Sequence, residues 1–166
     1  MTLPPLIMNQ PPPLIVGAGP AGIRAAATLV AAGLRPVVID EAPASGGQIY
    51  RQPLMPDGRS SSMRYGSEAA KTDRLHAEFA ALGERIDYRP STLVWNIAPG
   101  EAHLFRDGVT TRLAFKGAIL ATGAMDRTLP VPGWTLPGVF TLGGAQIALK
   151  AQGAAIGSRV AFMGSG

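Results

Sequence analysis

Gly17, Gly19 and Gly22 make the run GAGPAG, a G-x-G-x-x-G spacing, and the apolar run that follows closes on Asp40. Residues of these types at this spacing can hold a diphosphate. The first glycine permits a tight turn, the second lets backbone approach a pyrophosphate, and the third lets a helix pack closely on a strand. With Pro20 and Ala21 they open a helix, whose N-terminal N–H groups and dipole favour negative charge. Asp40 stands 18 positions after Gly22. A carboxylate there accepts both hydroxyls of an adenosine ribose and repels a 2′-phosphate. The first site is therefore expected to prefer FAD or NAD to NADP. Glu41 joins the candidate set as the neighbour of Asp40, although strand alternation turns it toward solvent.

The elements that must position these residues are legible around them. PLIVGAG is a short apolar run ending in glycine, as a buried parallel strand does. Pro20 to Ala32 is helix material, and Gly33 stands where a left-handed C-terminal residue is needed. RPVVID (Arg35 to Asp40) is a second strand, completing a strand, helix, strand unit. Residues Glu41 to Arg64, rich in Gly, Pro and Ser, read as a long functional loop. Ser67 to Leu82 forms an amphipathic helix with Leu75, Phe79 and Leu82 on one side, ended by Gly83. The short runs RIDY, TLVWNIA, AHLFR and VTTRLAF read as strands, the last two joined by Asp107-Gly108, a hairpin signal. GAILATG (Gly117 to Gly123) reads as a further buried strand, and about Gly144 to Gln152 as a last helix.

FAD is separated from NAD by what lies beyond Asp40. Gly46 and Gly47 follow it at six and seven positions, and the acid-then-GG pattern resembles the flavoprotein disulfide reductase superfamily, where such glycines bring backbone beside the flavin. GGQ resembles the thioredoxin reductases. ATG at Ala121, Thr122 and Gly123 resembles the second FAD signature of that superfamily. GGQIYRQP, ILATGAMDRTLPVPGW and LPGVFTLGGAQIALKAQG together resemble the flavoprotein alpha subunits of opine oxidases, hydroxyproline dehydrogenases and hydrogen cyanide synthase, over nearly the whole chain from Leu14 onward.

That resemblance implies an α/β fold. It is a Rossmann-like FAD-binding domain in three layers, a parallel sheet with a small antiparallel β-meander, as the N-terminal fragment of a larger two-domain fold. It implies FAD contacts from Gly17, Gly19, Gly22, Asp40, Gly47, Gln48, Arg51, Thr122 and Gly123. It also implies a backbone contact to adenine from the strand around Leu93 and Val94. Gln48 and Arg51 are the candidates beside the isoalloxazine, Arg51 as a charge able to stabilise the anionic reduced ring; no general base is assigned. RVAFMGSG (Arg159 to Gly166) resembles the first strand of an inserted NAD(P)-type domain. The expected organisation is a loose start over 1–12, an FAD-binding portion over 13–153, and a truncated second dinucleotide-binding domain opening at 154–166.

Composition bounds the rest. The 166 residues, 46% of them hydrophobic, suffice for the core of one domain. The net charge of +4 comes from 15 basic and 11 acidic residues, interleaved between Arg51 and Arg89, so a mixed solvated surface is expected rather than a nucleic-acid patch. There is no cysteine, which excludes disulfides, thiolate zinc sites and a redox dithiol in this chain. His76 and His103 lack ligand spacing and read as a surface helix position and a hairpin position; no metal site is expected. Arg24, Pro20 and four glycines break the apolar stretch from Leu14 to Leu34, so no integral membrane segment is expected. With no signal peptide apparent, a cytoplasmic location is the default. The resemblance implies a dehydrogenase or oxidase acting on an amine or amino-acid-type substrate with other subunits. The alternatives are a thioredoxin-reductase-like NAD(P)H enzyme, an ordinary NAD dehydrogenase and a noncatalytic nucleotide-binding fragment.

Overall fold

A computed structural model describes residues 10–164 of the chain. Four short parallel strands form the central sheet: β1 (Leu14–Val16), β2 (Val37–Ile39), β3 (Asp87–Arg89) and β7 (Ala118–Leu120), in the order β3-β2-β1-β7. Leu14 pairs with Val37 on one side and Ala118 on the other. A second sheet, antiparallel, runs β4 (Leu93–Ala98), β5 (Glu101–Arg106) and β6 (Val109–Ala114).

The helices are α1 (Pro20–Ala31), α2 (Ser61–Tyr65), α3 (Ala69–Leu82) and α4 (Leu142–Lys150). The strand period of two divides the central strands between two cores. Ile15 and Val38 pack with Ile23 and Ala26 of α1 and with Leu75, Phe79 and Leu82 of α3. Leu14, Val37 and Ile39 pack on the other face against Ala102 and Leu104 of the antiparallel sheet. The result is the expected three layers: helices, parallel sheet, antiparallel sheet. With both faces of β1 and β2 covered, their tips are held rigidly, and it is there that the glycine turn and Asp40 sit.

Four expectations change. The helix expected over Ser67 to Leu82 is α3, which starts at Ala69, and a short helix, α2, stands at the end of the expected loop; Gly66, at φ +58°, separates the two at a short 3-10 turn. The last helix starts at Leu142 rather than Gly144, because the Thr141 hydroxyl accepts from the Gly144 N–H (3.1 Å) and fixes the start. The strand β7 is not buried: Ile119 and Leu120 are exposed, since β7 is the sheet edge and no described element covers it. Over its described part, Arg159 to Gly164 forms no strand, because no neighbouring strand pairs its backbone groups. Ser165, Gly166 and residues 1–9 of the expected loose start lie outside the described residues.

Candidate functional site

Gly17 leaves β1 at φ +103°, and a Cβ on it would lie 2.2 Å from the Ala121 carbonyl oxygen. A Cβ on Gly22 would lie 1.8 Å from the Gly17 carbonyl oxygen. The protein's own packing demands both glycines. Gly19 differs: its φ is −76°, and a Cβ there would meet only the Gly47 Cα, at an ordinary 3.6 Å. Among the described residues no contact requires glycine at 19. Gly19 is the N-cap of α1 and makes no side-chain cap, and Pro20 takes the first turn. Ile23 N–H bonds the Gly19 carbonyl (2.9 Å), so Ala21 and Gly22 bring N–H groups to the mouth of the turn without intrahelical acceptors.

Asp40 follows β2 and is fixed from both sides. Its backbone N–H donates to the Arg89 carbonyl (3.1 Å), and its carbonyl accepts from the Thr92 N–H (2.9 Å). One carboxylate oxygen accepts from the Ala18 N–H (2.5 Å), the other from the Ala42 N–H (2.7 Å). The carboxylate is thus anchored at the glycine turn, and each oxygen keeps a lone pair for a further donor. Glu41 is exposed, as strand alternation implies.

The loop from Ser45 to Gln52 is pinned against the same turn. Gly46 N–H donates to the Ala18 carbonyl (2.8 Å), and a Cβ on Gly47 would come within 3.0 Å of the Gly19 Cα. Gly46 and Gly47 take φ +118° and +62°. The loop's carbonyls are engaged one after another. Ser45 accepts from Gln52 Nε2 (3.0 Å), Gly46 from the Tyr50 N–H (3.2 Å), and Ile49 from Lys150 Nζ (2.6 Å). Tyr50 accepts from His76 Nε2 (3.1 Å) and Arg51 from the Tyr65 hydroxyl (2.8 Å). Burial holds Lys150 and His76 below their ordinary pKa values. Gln48 is exposed, whereas Arg51 is half-buried and its Nε, fully shielded, has no hydrogen-bond partner among the described residues.

The end of β7 completes the arrangement. Ala121 N–H donates to the Val16 carbonyl (2.8 Å), Thr122 follows, and Gly123 turns at φ +77°. Asp126 beyond it accepts from the Gly143 N–H (2.7 Å), which ties α4 to this loop. Gly17, Gly19, Gly22, Asp40, Gly46, Gly47, Ala121, Thr122 and Gly123 therefore share one surface at the C-terminal tips of β1, β2 and β7. Val94 is less direct: its side chain packs into the core beneath the antiparallel sheet, which leaves its backbone as the part a ligand could meet. A cleft of about 370 Å³ beside the loop shares Ser45 and Gln52 with it but none of the glycines or Asp40. Tyr88, on the wall of that cleft, has its hydroxyl shielded and unpartnered among the described residues, its pKa pushed up to about 12 by burial and then by the Asp40 charge.

Sequence reasoning missed the supports. His76 is a half-buried anchor of the loop rather than a bland surface position, and Gln52, Tyr65, Lys150 and Asp126 serve similar ends. No spacing signals them, because each reaches its partner across a distance in sequence that only the fold closes. Gly143 is the one trace: a Cβ there would lie 2.4 Å from the Asp126 carboxylate.

The family model described as pyridine nucleotide-disulphide oxidoreductase matches residues 13–166. The A subunit of opine oxidase from Agrobacterium tumefaciens is 40% identical over 164 residues, an alignment covering 92% of this chain and 32% of that protein. The HcnB subunit of hydrogen cyanide synthase from Pseudomonas protegens is 37% identical over 158 residues, covering 93% and 33%. The chain thus spans 32% and 33% of the length of these two relatives. The crystal structure of L-proline dehydrogenase from P.horikoshii shares the fold, with a TM-score of 0.70 over 89% of this chain and 29% of that one, at 24% identity.

Proposed function

The chain belongs to the pyridine nucleotide-disulphide oxidoreductase family, and from that premise we propose that it is the FAD-binding part of a flavin-dependent oxidoreductase. Gly19 carries the reading. It is the one glycine of the fingerprint that internal packing leaves unexplained, and its bare backbone faces Gly47 at the start of a helix. A pyrophosphate there meets the N–H groups of Ala21 and Gly22 and the positive end of α1, favoured by about 0.3–1 kcal/mol or more. The free lone pairs of Asp40 accept the ribose hydroxyls, and the same charge disfavours a 2′-phosphate.

The flavin end runs past Gly46, Gly47 and Gln48 toward Thr122 and Gly123. Arg51, half-buried beside this loop, contributes a cation suited to an anionic acceptor. Bound FAD supplies the redox chemistry, accepting and passing on electrons, while these residues hold and orient it. In this reading the electrons come from an amine or amino-acid-type substrate. Other subunits complete the enzyme, as the names of the related opine oxidase, hydrogen cyanide synthase and sarcosine oxidase subunits suggest. Residues 154–166 open a second, NAD(P)-type domain. No helix among the described residues is long and apolar enough to cross a membrane, and we place the protein in the cytoplasm.

The test is reconstitution. After incubation with FAD and gel filtration, the chain is expected to elute yellow, and Gly19→Ala colourless with an unchanged circular dichroism spectrum. Colourless wild-type protein would overturn the proposal.

A further inference from the structure

The loop that flanks the proposed flavin site is held by two side chains, His76 and Gln52, whose hydrogen bonds depend on one another. Backbone carbonyls only accept. His76 Nε2 lies 3.1 Å from the Tyr50 carbonyl oxygen, so that nitrogen carries the proton and Nδ1 of the neutral ring is a bare acceptor. Gln52 Nε2 lies 3.0 Å from the Ser45 carbonyl oxygen and 3.4 Å from both Ser45 Oγ and His76 Nδ1, so one amide hydrogen serves Ser45 and the other faces the bare ring nitrogen. Either assignment fixes the other. A second proton on the ring has no place: Nδ1–H would point at the Gln52 NH2. Turning the amide round would set its oxygen against the Ser45 carbonyl. The ring also lies directly against the loop, its Cε1 so near Gly46 that a Cβ there would come within 2.8 Å of it.

The charges around this pair are accounted for. Asp73, on the same helix, favours the cation, but its carboxylate accepts from the Ser61 hydroxyl (2.6 Å), and burial of the ring outweighs it. On the loop, the Tyr50 hydroxyl donates to Glu68, which is paired with Lys71. Arg24 of α1 is paired with Glu78, Arg64 of α2 with Asp57, and Lys150 of α4 bonds the Ile49 carbonyl.

We propose that His76 and Gln52 are a positioning pair: neutral His76 holds Ser45 to Gln52 in the shape that presents Gly46, Gly47 and Arg51 to the dinucleotide, and protonation releases that loop. The consequence for FAD rests on the reading above. Burial of the ring in the closed loop outweighs the Tyr50 carbonyl and Asp73, which both favour the cation, so its pKa lies below the ordinary 6.5. Affinity for FAD is therefore full above that value and falls as the pH drops below it. By reciprocity, bound FAD lowers the His76 pKa further.

Flavin fluorescence titrations of the full chain at about pH 8 and about pH 5 are expected to show binding about tenfold weaker in acid. His76→Gln, whose amide can still donate to the Tyr50 carbonyl but does not titrate, is expected to lose that dependence. Equal acid weakening in both proteins, or none in the wild type, overturns the proposal. Hydrogen exchange of residues 46–52 without FAD, corrected for intrinsic rates, separates the two readings. Faster exchange in acid for the wild type but not for His76→Gln supports the pair even if no flavin binds, an outcome that would sink only the FAD reading. Should the variant not fold, the wild-type ring protons decide by NMR: a His76 that titrates at the ordinary histidine value overturns the pairing.

Discussion

At the scale of single residues, the three glycines of the fingerprint serve different masters, and substitution separates them. Gly17→Ala drives a methyl into the Ala121 carbonyl from a positive φ. It is expected to lower stability by roughly 2–4 kcal/mol, read by chemical denaturation. Gly19→Ala has room within the protein and an ordinary φ. Its stability is expected to fall by no more than about 1 kcal/mol, the N-cap preference for glycine over alanine, while FAD affinity drops by about tenfold or more. If the two variants proved equally unstable, the idea that Gly19 is kept for a ligand would fail. The spacing of glycines and Asp40 was readable because it is a local pattern. The Asp40 carboxylate turned out to be anchored by the N–H groups of Ala18 and Ala42, a detail that depends on two strand tips lying side by side.

At the scale of elements, strands and hairpin were legible and the fastening of helices was not. The 3.6 and 2.0 periods mark which residues face a core, and Leu14, Ile15, Val38, Leu75 and Phe79 lie in the cores as the patterns require. Periodicity is silent on ion pairs such as the one that docks α2 near α4. Arg64, buried, reaches Asp57 (2.5 Å) with one guanidinium nitrogen and the Lys150 carbonyl (2.8 Å) with the other. The hydrogen bond from Arg64 holds the Asp57 carboxyl below its ordinary range. A carboxyl with a depressed folded pKa contributes stability above its unfolded value, here 3.8, and that contribution is lost as pH falls through the folded value. Asp57→Asn is therefore expected to be less stable than the wild type at neutral pH. The gap should close in acid below 3.8, as followed by thermal melts across that range; a gap independent of pH would contradict the assignment.

For the whole molecule, the three layers were implied by the family resemblance, and the order of elements agrees with them, since a strand, helix, strand unit followed by a hairpin meander has few ways to bury its faces. What the sequence could not tell is which faces stay uncovered. Apolarity promised a buried β7, yet Leu120 is 66% exposed and Met125 93%, because burial of an edge strand is decided by what packs on it and not by its own residues. The glycine turn, Asp40, the Gly46-Gly47 loop and the tip of β7 converge because both cores clamp the strands that carry them. The central claim is that this convergence is one dinucleotide groove. Backbone amide NMR during titration with FAD tests it most directly. The amides of Ala21, Gly22, Ala42, Gly47 and Gly123 are expected to shift together and saturate at one flavin per chain. Shifts confined to the antiparallel sheet, or an unchanged spectrum at saturating FAD, would contradict it.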